Sequence, residues 1–222
     1  MRLTIVAATG GIGSELLRQA VAAGHEVTAV VRNPARLADT PVRVITADLT
    51  AADPGRLCLA TDGADAVLSG LGARSGAEAG VASRGTRALV QAMQAGGGRR
   101  LVVVSAASVG TVPSPLRPNP PRHNPGDGLV MRYVFAPLAK TAFRAHYADL
   151  ALMEDILVES NLDWTVSRPP RLLNGKLTGQ YRTADGQNVR GGLFISRADV
   201  AHHMLGVLER PETIHRVLGI AY

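Results

Sequence analysis

The chain has 222 residues, of which 46% are hydrophobic and 19% charged, with a formal net charge of +6. That length supports one sizeable core, and that composition excludes wholesale disorder. No apolar run reaches the ~18 residues of a membrane span, the apolar run at 3–8 is too short for a signal peptide, and the lone Cys58 cannot close an internal disulfide. A cytoplasmic protein with no membrane partner is expected, with Cys58 as a small buried apolar residue. The basic residues are all arginine apart from Lys140 and Lys176. They are scattered, without a basic run or interleaved aromatics, so a nucleic-acid surface is not expected. Only His202 and His203 adjoin among the six histidines, and neighbours on a helix face different ways, so no metal site is expected.

The first apolar run, 3–6, reads as a strand and leads into Ala7-Ala8-Thr9-Gly10-Gly11-Ile12-Gly13, after which helical spacing covers 12–23. A glycine turn between a strand and a helix is the setting in which backbone amides and the positive helix end receive a pyrophosphate. The next strand, 26–31, ends in Val31-Arg32-Asn33-Pro34. An acid at that strand end suits a ribose 2′-hydroxyl, whereas the planar fork of Arg32 suits a 2′-phosphate, so NADP(H) is expected over NAD(H).

Further strands are expected at 42–47, 66–69 and 101–105, with a clear helix at 81–95. Short β-branched runs alternating with helices imply right-handed crossovers. The fold class is therefore α/β, a Rossmann-type doubly wound and mainly parallel sheet with helices on both faces.

The rhythm then breaks. Residues 111–127 hold Pro113, Pro115, Pro118, Pro120, Pro121 and Pro125 and read as a loop. Residues 128–147 are apolar and basic and carry Tyr133, Phe135, Phe143 and Tyr147. Three readings stay open for them: an aromatic lid over the nicotinamide face behind a mobile loop, a core helix kinked near Pro137, or a dimer surface. A helix at 148–160 and a strand at 163–167 follow, then a hairpin-like polar stretch at 181–192. A helix begins near Ser196, with Arg197 and Asp199 in its first turn, and the last strand is 217–221. No repeat or linker divides the chain, so one domain, 1–222, is expected, with 111–147 an insertion near the substrate side.

In order and spacing, these pieces resemble the atypical short-chain dehydrogenase/reductase group of NAD(P)H-binding proteins, and within it the biliverdin-IXβ reductase/flavin reductase branch. The resemblance covers nearly the whole chain. It is carried by AATGGIG at 7–13, VVRNP at 30–34, ADL at 47–49, LGAR at 71–74 and RGTRALVQAM at 84–93. VVVSA at 102–106, LDWTVSRPPRL at 162–172, TGQY at 178–181 and ISRADVAHHML at 195–205 complete it.

The resemblance implies pyrophosphate at Thr9, Gly10, Gly11, Ile12 and Gly13, and the 2′-phosphate at Arg32. Asp48 and Leu49 would lie along the adenine, and Gly70, Leu71 and Gly72 along the ribose and pyrophosphate path. Ser105 would stand beside the nicotinamide, with Pro169 and Pro170 as a wall near its amide. Three departures matter. Ala7 replaces the first glycine of the family's turn, a small change that is tolerated if that residue keeps a negative φ. The Tyr–Lys pair of ordinary members is missing: Ala151 lies four positions after Tyr147, and Pro137 four after Tyr133. Arg171 stands where the mammalian enzyme has histidine.

Without that pair, the expected chemistry is hydride transfer from NADPH to a planar, electron-poor small molecule such as a flavin or quinone. Solvent would supply the proton, and Ser105 and Arg171 would orient the acceptor. The alternative is a non-enzymatic redox sensor resembling the nitrogen-metabolite repression regulator. An epimerase of activated sugars ranks third, because it generally wants the absent tyrosine. Monomer and homodimer stay open.

Overall fold

A computed structural model describes residues 1–37, 40–49, 54–73 and 78–222. Strands β1 (Arg2–Val6), β2 (Glu26–Val31), β3 (Arg43–Thr46), β4 (Ala66–Ser69) and β5 (Arg100–Val104) alternate with helices α1 (Gly11–Ala22), α2 (Pro54–Thr61) and α3 (Val81–Ala95). After β5 come α4 (Ala136–Ala142), α5 (Arg144–Glu159), β6 (Asp163–Arg168), β7 (Arg171–Leu173), β8 (Arg182–Asp185), β9 (Phe194–Ser196), α6 (Arg197–Gly206) and β10 (Arg216–Ala221). The main sheet runs β3-β2-β1-β4-β5-β6-β10-β8. Its neighbours are parallel except β8, which pairs antiparallel with β10. The order reverses direction between β1 and β4, and open α/β sheets receive ligands at the carboxyl ends of the strands on either side of such a point.

Side chains alternate along each strand into two cores. Val6, Val67, Val103 and Val166 pack with Leu57 of α2, Leu89 of α3 and Leu150, Met153 and Leu157 of α5. On the other face, Leu3, Ile5, Leu68 and Val102 pack with Leu16 of α1 and Val200 and Met204 of α6. Cys58 is half-buried against the first core. Among the described residues, no helix is long and apolar enough to cross a membrane.

Several local expectations change. The polar stretch at 181–192 is not a self-paired hairpin: β8 pairs with β10 in the register Leu218↔Asp185, and β9 forms a separate two-stranded parallel sheet with β7. Helix α5 begins at Arg144, four residues earlier than the apolar stripe indicates. The break that separates it from α4 is at Phe143 (φ −119°, ψ 32°) rather than at Pro137. Pro137 lies inside a continuous helical run, 129–142, directly after the π-helical turn Met131–Phe135, where the hydrogen-bond ladder is already irregular.

The proline-rich stretch is pinned rather than loose. Ser114 Oγ and the Leu116 amide donate to the Asp155 carboxylate at 2.9 and 3.0 Å. At its far end the Asn188 amide donates to Asn124 Oδ1 at 2.7 Å, and Asn188 Nδ2 donates to Asp127 Oδ1, also at 2.7 Å. Lys140 Nζ reaches back to Thr111 Oγ1 at 3.0 Å. A single π-helical turn, Met131–Phe135, leads into α4. Tyr133 and Phe143 are 64% and 60% exposed, so they are not core aromatics, whereas Tyr147 packs against the first core. The side chain of Phe135 lies outside the described set.

Candidate functional site

The glycine turn folds tightly onto itself at the end of β1. Gly10 donates its amide to the Ala7 carbonyl at 2.7 Å, and a Cβ on Gly13 would stand 2.0 Å from that same oxygen. Only glycine fits there. Ala7 does not keep a negative φ: it sits at +57°, in the left-handed region, because the chain must turn sharply to bring Gly10 back over it. The first turn of α1 carries no acid, and no side chain caps it. Its amides and positive end are therefore left for an anion.

A cleft of about 480 Å3 opens over this turn at the carboxyl ends of the strands, within the usual size of a small-molecule or cofactor site. Thr9, Gly10, Gly11 and Ile12 form its floor. Arg32 stands at the end of β2, where Nη2 pairs with Glu78 Oε1 at 2.9 Å. Asp48 and Leu49 follow β3, and Gly70, Leu71 and Gly72 follow β4. Ser105 lies at the end of β5. The structure brings these residues into one cleft, from Arg32 to Ser105.

Four residues of the expected set lie elsewhere. Gly13 is buried beneath the turn. Pro169 is buried and accepts the Ala107 amide through its carbonyl at 2.8 Å, Pro170 is half-buried, and Arg171 is exposed on β7. The cleft wall at that level is Leu172. Arg74 of the LGAR motif lies outside the described residues.

A buried ion pair lies behind the inner end of the cleft. Ser105 is buried, and its hydroxyl donates to Glu154 Oε1 at 2.7 Å. Glu154 is itself buried and holds the buried Arg168 in a two-pronged ion pair, Nε to Oε1 at 2.8 Å and Nη2 to Oε2. Because its proton is committed to Glu154, Ser105 offers the cleft an acceptor rather than a donor.

His146 shares this end with Ser105 and Leu150. Its Nδ1 is buried without a hydrogen-bond partner among the described residues. Burial lowers its pKa below the ordinary imidazole value, and Asp149 pulls the other way. Asp149 fixes the start of α5 by accepting the Ala82 and Ser83 amides at the start of α3, both at 3.0 Å. Sequence reasoning missed His146 and Glu154. The signal was their spacing: His146, Leu150 and Glu154 recur every four residues along one stripe of the helix after β5.

Arg197 closes the other wall and was also missed as a site residue. Its Nη1 donates to Asn174 Oδ1 at 2.7 Å, and a Cβ on Gly11 would lie 2.6 Å from its Nε.

A parallel sheet with a glycine turn at its switch point, opening on a long cleft, defines a dinucleotide-binding protein of the Rossmann type. Residues 7–211 match the NAD(P)H-binding family, and the chain belongs to it. The chain is 29% identical over 225 residues to the uncharacterized protein YwnB of Bacillus subtilis (strain 168), covering 96% of this chain and 94% of that one. It is similar to ChuY, an anaerobilin reductase of Escherichia coli O157:H7, at 25% identity and a TM-score of 0.77, over 100% of this chain and 97% of that one. A short-chain dehydrogenase/reductase of Veillonella parvula, solved in complex with NADP, has the same fold at 19% identity and a TM-score of 0.75, over 100% of this chain and 94% of that one.

Proposed function

We propose that the chain is an NADPH-dependent reductase of a planar, electron-poor small molecule such as a flavin or quinone. The observation that carries this reading is the continuous cleft from Arg32, across the uncapped start of α1, to Ser105 and His146. The residues present fit the cofactor: a floor without bulky side chains, an exposed arginine at the outer end, and an apolar inner wall of Leu150 and Leu172.

Arg32 would hold the 2′-phosphate, the uncapped amides at the start of α1 the pyrophosphate, and Asp48 and Leu49 the adenine side. Bound NADPH supplies a hydride. Ser105, oriented by Glu154, accepts a hydrogen bond at the inner end and fixes the position of the ring beside it. Leu150 and Leu172 exclude water from the reacting face. His146 stands where a proton can be held at an imidazole nitrogen and passed to the reduced acceptor, with solvent replacing it. Arg171, exposed on β7, would meet an anionic arm of a larger acceptor.

The decisive experiment follows NADPH absorbance with FMN, riboflavin and a small quinone in turn, alongside an NADH control. Acceptor-dependent oxidation that is slow with NADH is expected, with His146→Ala slowed and partly restored by added imidazole. Tight NADPH binding with no turnover would instead favour a redox sensor. The exposed apolar side chains of Leu129, Val130, Tyr133, Val134 and Leu138 favour that second reading, since a sensor acts by contacting partners.

A further inference from the structure

Arg197 is electrostatically misplaced for a protein without a ligand. It is the first residue of α6, and its side chain lies against Gly11, the first residue of α1. The start of α1 has no acid and no side-chain cap, so its partial positive charge disfavours a guanidinium there, whereas the start of α6 is capped by Ser196 and balanced by Asp199. No carboxylate among the described residues pairs with it. Among the described residues its side chain donates to the neutral Asn174 side chain, which fixes where it points. The two helices are locked at this distance by Gln19 Nε2, which donates to the Ala198 carbonyl at 2.9 Å. Gly11 has no side chain to push the guanidinium away, and Arg197 faces the same cleft as Thr9, Gly10 and Ile12.

The uncapped positive end of α1 and a cation with no carboxylate partner among the described residues meet at one cleft, an arrangement that suits an anion between them. We propose that Arg197, held by Asn174, is a clamp on the dinucleotide pyrophosphate, gripping it from the wall opposite the glycine-turn amides. This rests on the cofactor placement proposed above. The pyrophosphate carries one charge on each phosphate. The α1 amides meet it from below, and Arg197 supplies the full positive charge that the amides lack. Asn174 lies just beyond β7, so the clamp also ties the β7–β9 sheet, which bears Leu172, to cofactor binding.

The test is Arg197→Gln, which shortens the side chain and removes its charge, with Arg197→Lys beside it. Dissociation constants are measured for NADPH, NADP+ and adenosine 2′-monophosphate, which has the 2′-phosphate and no pyrophosphate. In Arg197→Gln, both dinucleotides are expected to bind about ten- to a hundredfold more weakly, with adenosine 2′-monophosphate within twofold of the parent. Arg197→Lys should fall between. The melting temperature of the ligand-free variant should not drop, because a cation leaves the uncapped start of α1. Dinucleotide binding within twofold of the parent would overturn the clamp, as would equal losses for all three ligands. A rise in acceptor KM alone would assign the anion to the acceptor and also overturn it. If the parent protein itself bound neither dinucleotide, the cofactor placement would fall, a result distinct from any of these.

Discussion

The hydroxyl of Ser105, at the end of β5, donates to Glu154 Oε1 of α5 at 2.7 Å, and the same carboxylate neutralises the buried Arg168 of β6. One buried acid thus has two duties, balancing a charge under the sheet end and orienting the serine that faces the cleft. The duties separate by mutation. Ser105→Ala leaves the ion pair whole and should cost about 1 kcal/mol of stability while lowering kcat about tenfold or more, with NADPH affinity little changed. Glu154→Gln strands Arg168 in a dry interior and should cost about 3–5 kcal/mol. Urea unfolding and steady-state kinetics on both variants check this. Equal stability losses would mean that the acid's link to Arg168 matters less than its geometry indicates.

Ala7 occupies a conformation that glycine adopts freely, at φ +57°. The left-handed region costs an L-residue roughly 1–2 kcal/mol, and replacement by glycine returns about 0.4–1 kcal/mol to the unfolded chain as entropy. Ala7→Gly should therefore stabilise the protein by about 0.5–1 kcal/mol, read as a higher urea midpoint at unchanged m-value. A lower midpoint would show that the alanine methyl makes contacts worth more than the strain.

Arg32 and Glu78 meet at 2.9 Å at the outer end of the cleft, where a 2′-phosphate would arrive. Arg32→Ala should reduce the preference for NADP over NAD by about ten- to a hundredfold. Glu78→Gln should do the reverse. It frees the arginine from a competing carboxylate and removes a like charge from the phosphate, tightening NADPH binding by about three- to tenfold in low salt and less at high ionic strength. Parallel titrations with NADPH and NADH at two salt concentrations decide it. An equal effect on both dinucleotides would place Glu78 away from the 2′ position.

What could be read from the chain follows how local each signal is. Strands β1, β2, β4, β5 and β6 are continuous apolar runs, and the turn at Thr9 to Gly13 announces itself between a strand and a helix. The cleft residues from Thr9 to Ser105 were legible because each immediately follows a strand. Strand β8 was misread because its partner, β10, lies 35 residues away at the Ala184↔Gly219 pairing, and no local pattern carries that register. His146 and Arg197 reach the cleft, and Glu154 reaches Ser105 behind it, from helices whose other faces are core, so their direction depends on packing. Asp149, capping α3 from another helix, is a contact that exists only once both helices are docked.

His203 makes stability depend on pH. It is buried on α6, with Nδ1 3.1 Å from Ser167 Oγ and Nε2 without a partner among the described residues. Burial, reinforced by Arg210 and His202, lowers its pKa to about 4. An unfolded chain therefore binds this proton more readily than the folded one between about pH 6.5 and 4. The neutral ring's contribution is fully present above pH 6.5 and is lost as pH falls through that window, at up to about 1.4 kcal/mol per unit. Between pH 7 and pH 5 the protein should lose about 2 kcal/mol through this residue. His203→Gln should flatten that part of the profile even though it lowers stability at pH 7, because glutamine does not titrate. Urea unfolding at half-unit steps separates the two effects: a variant that is less stable throughout but keeps the parental slope would assign the acid sensitivity to another group.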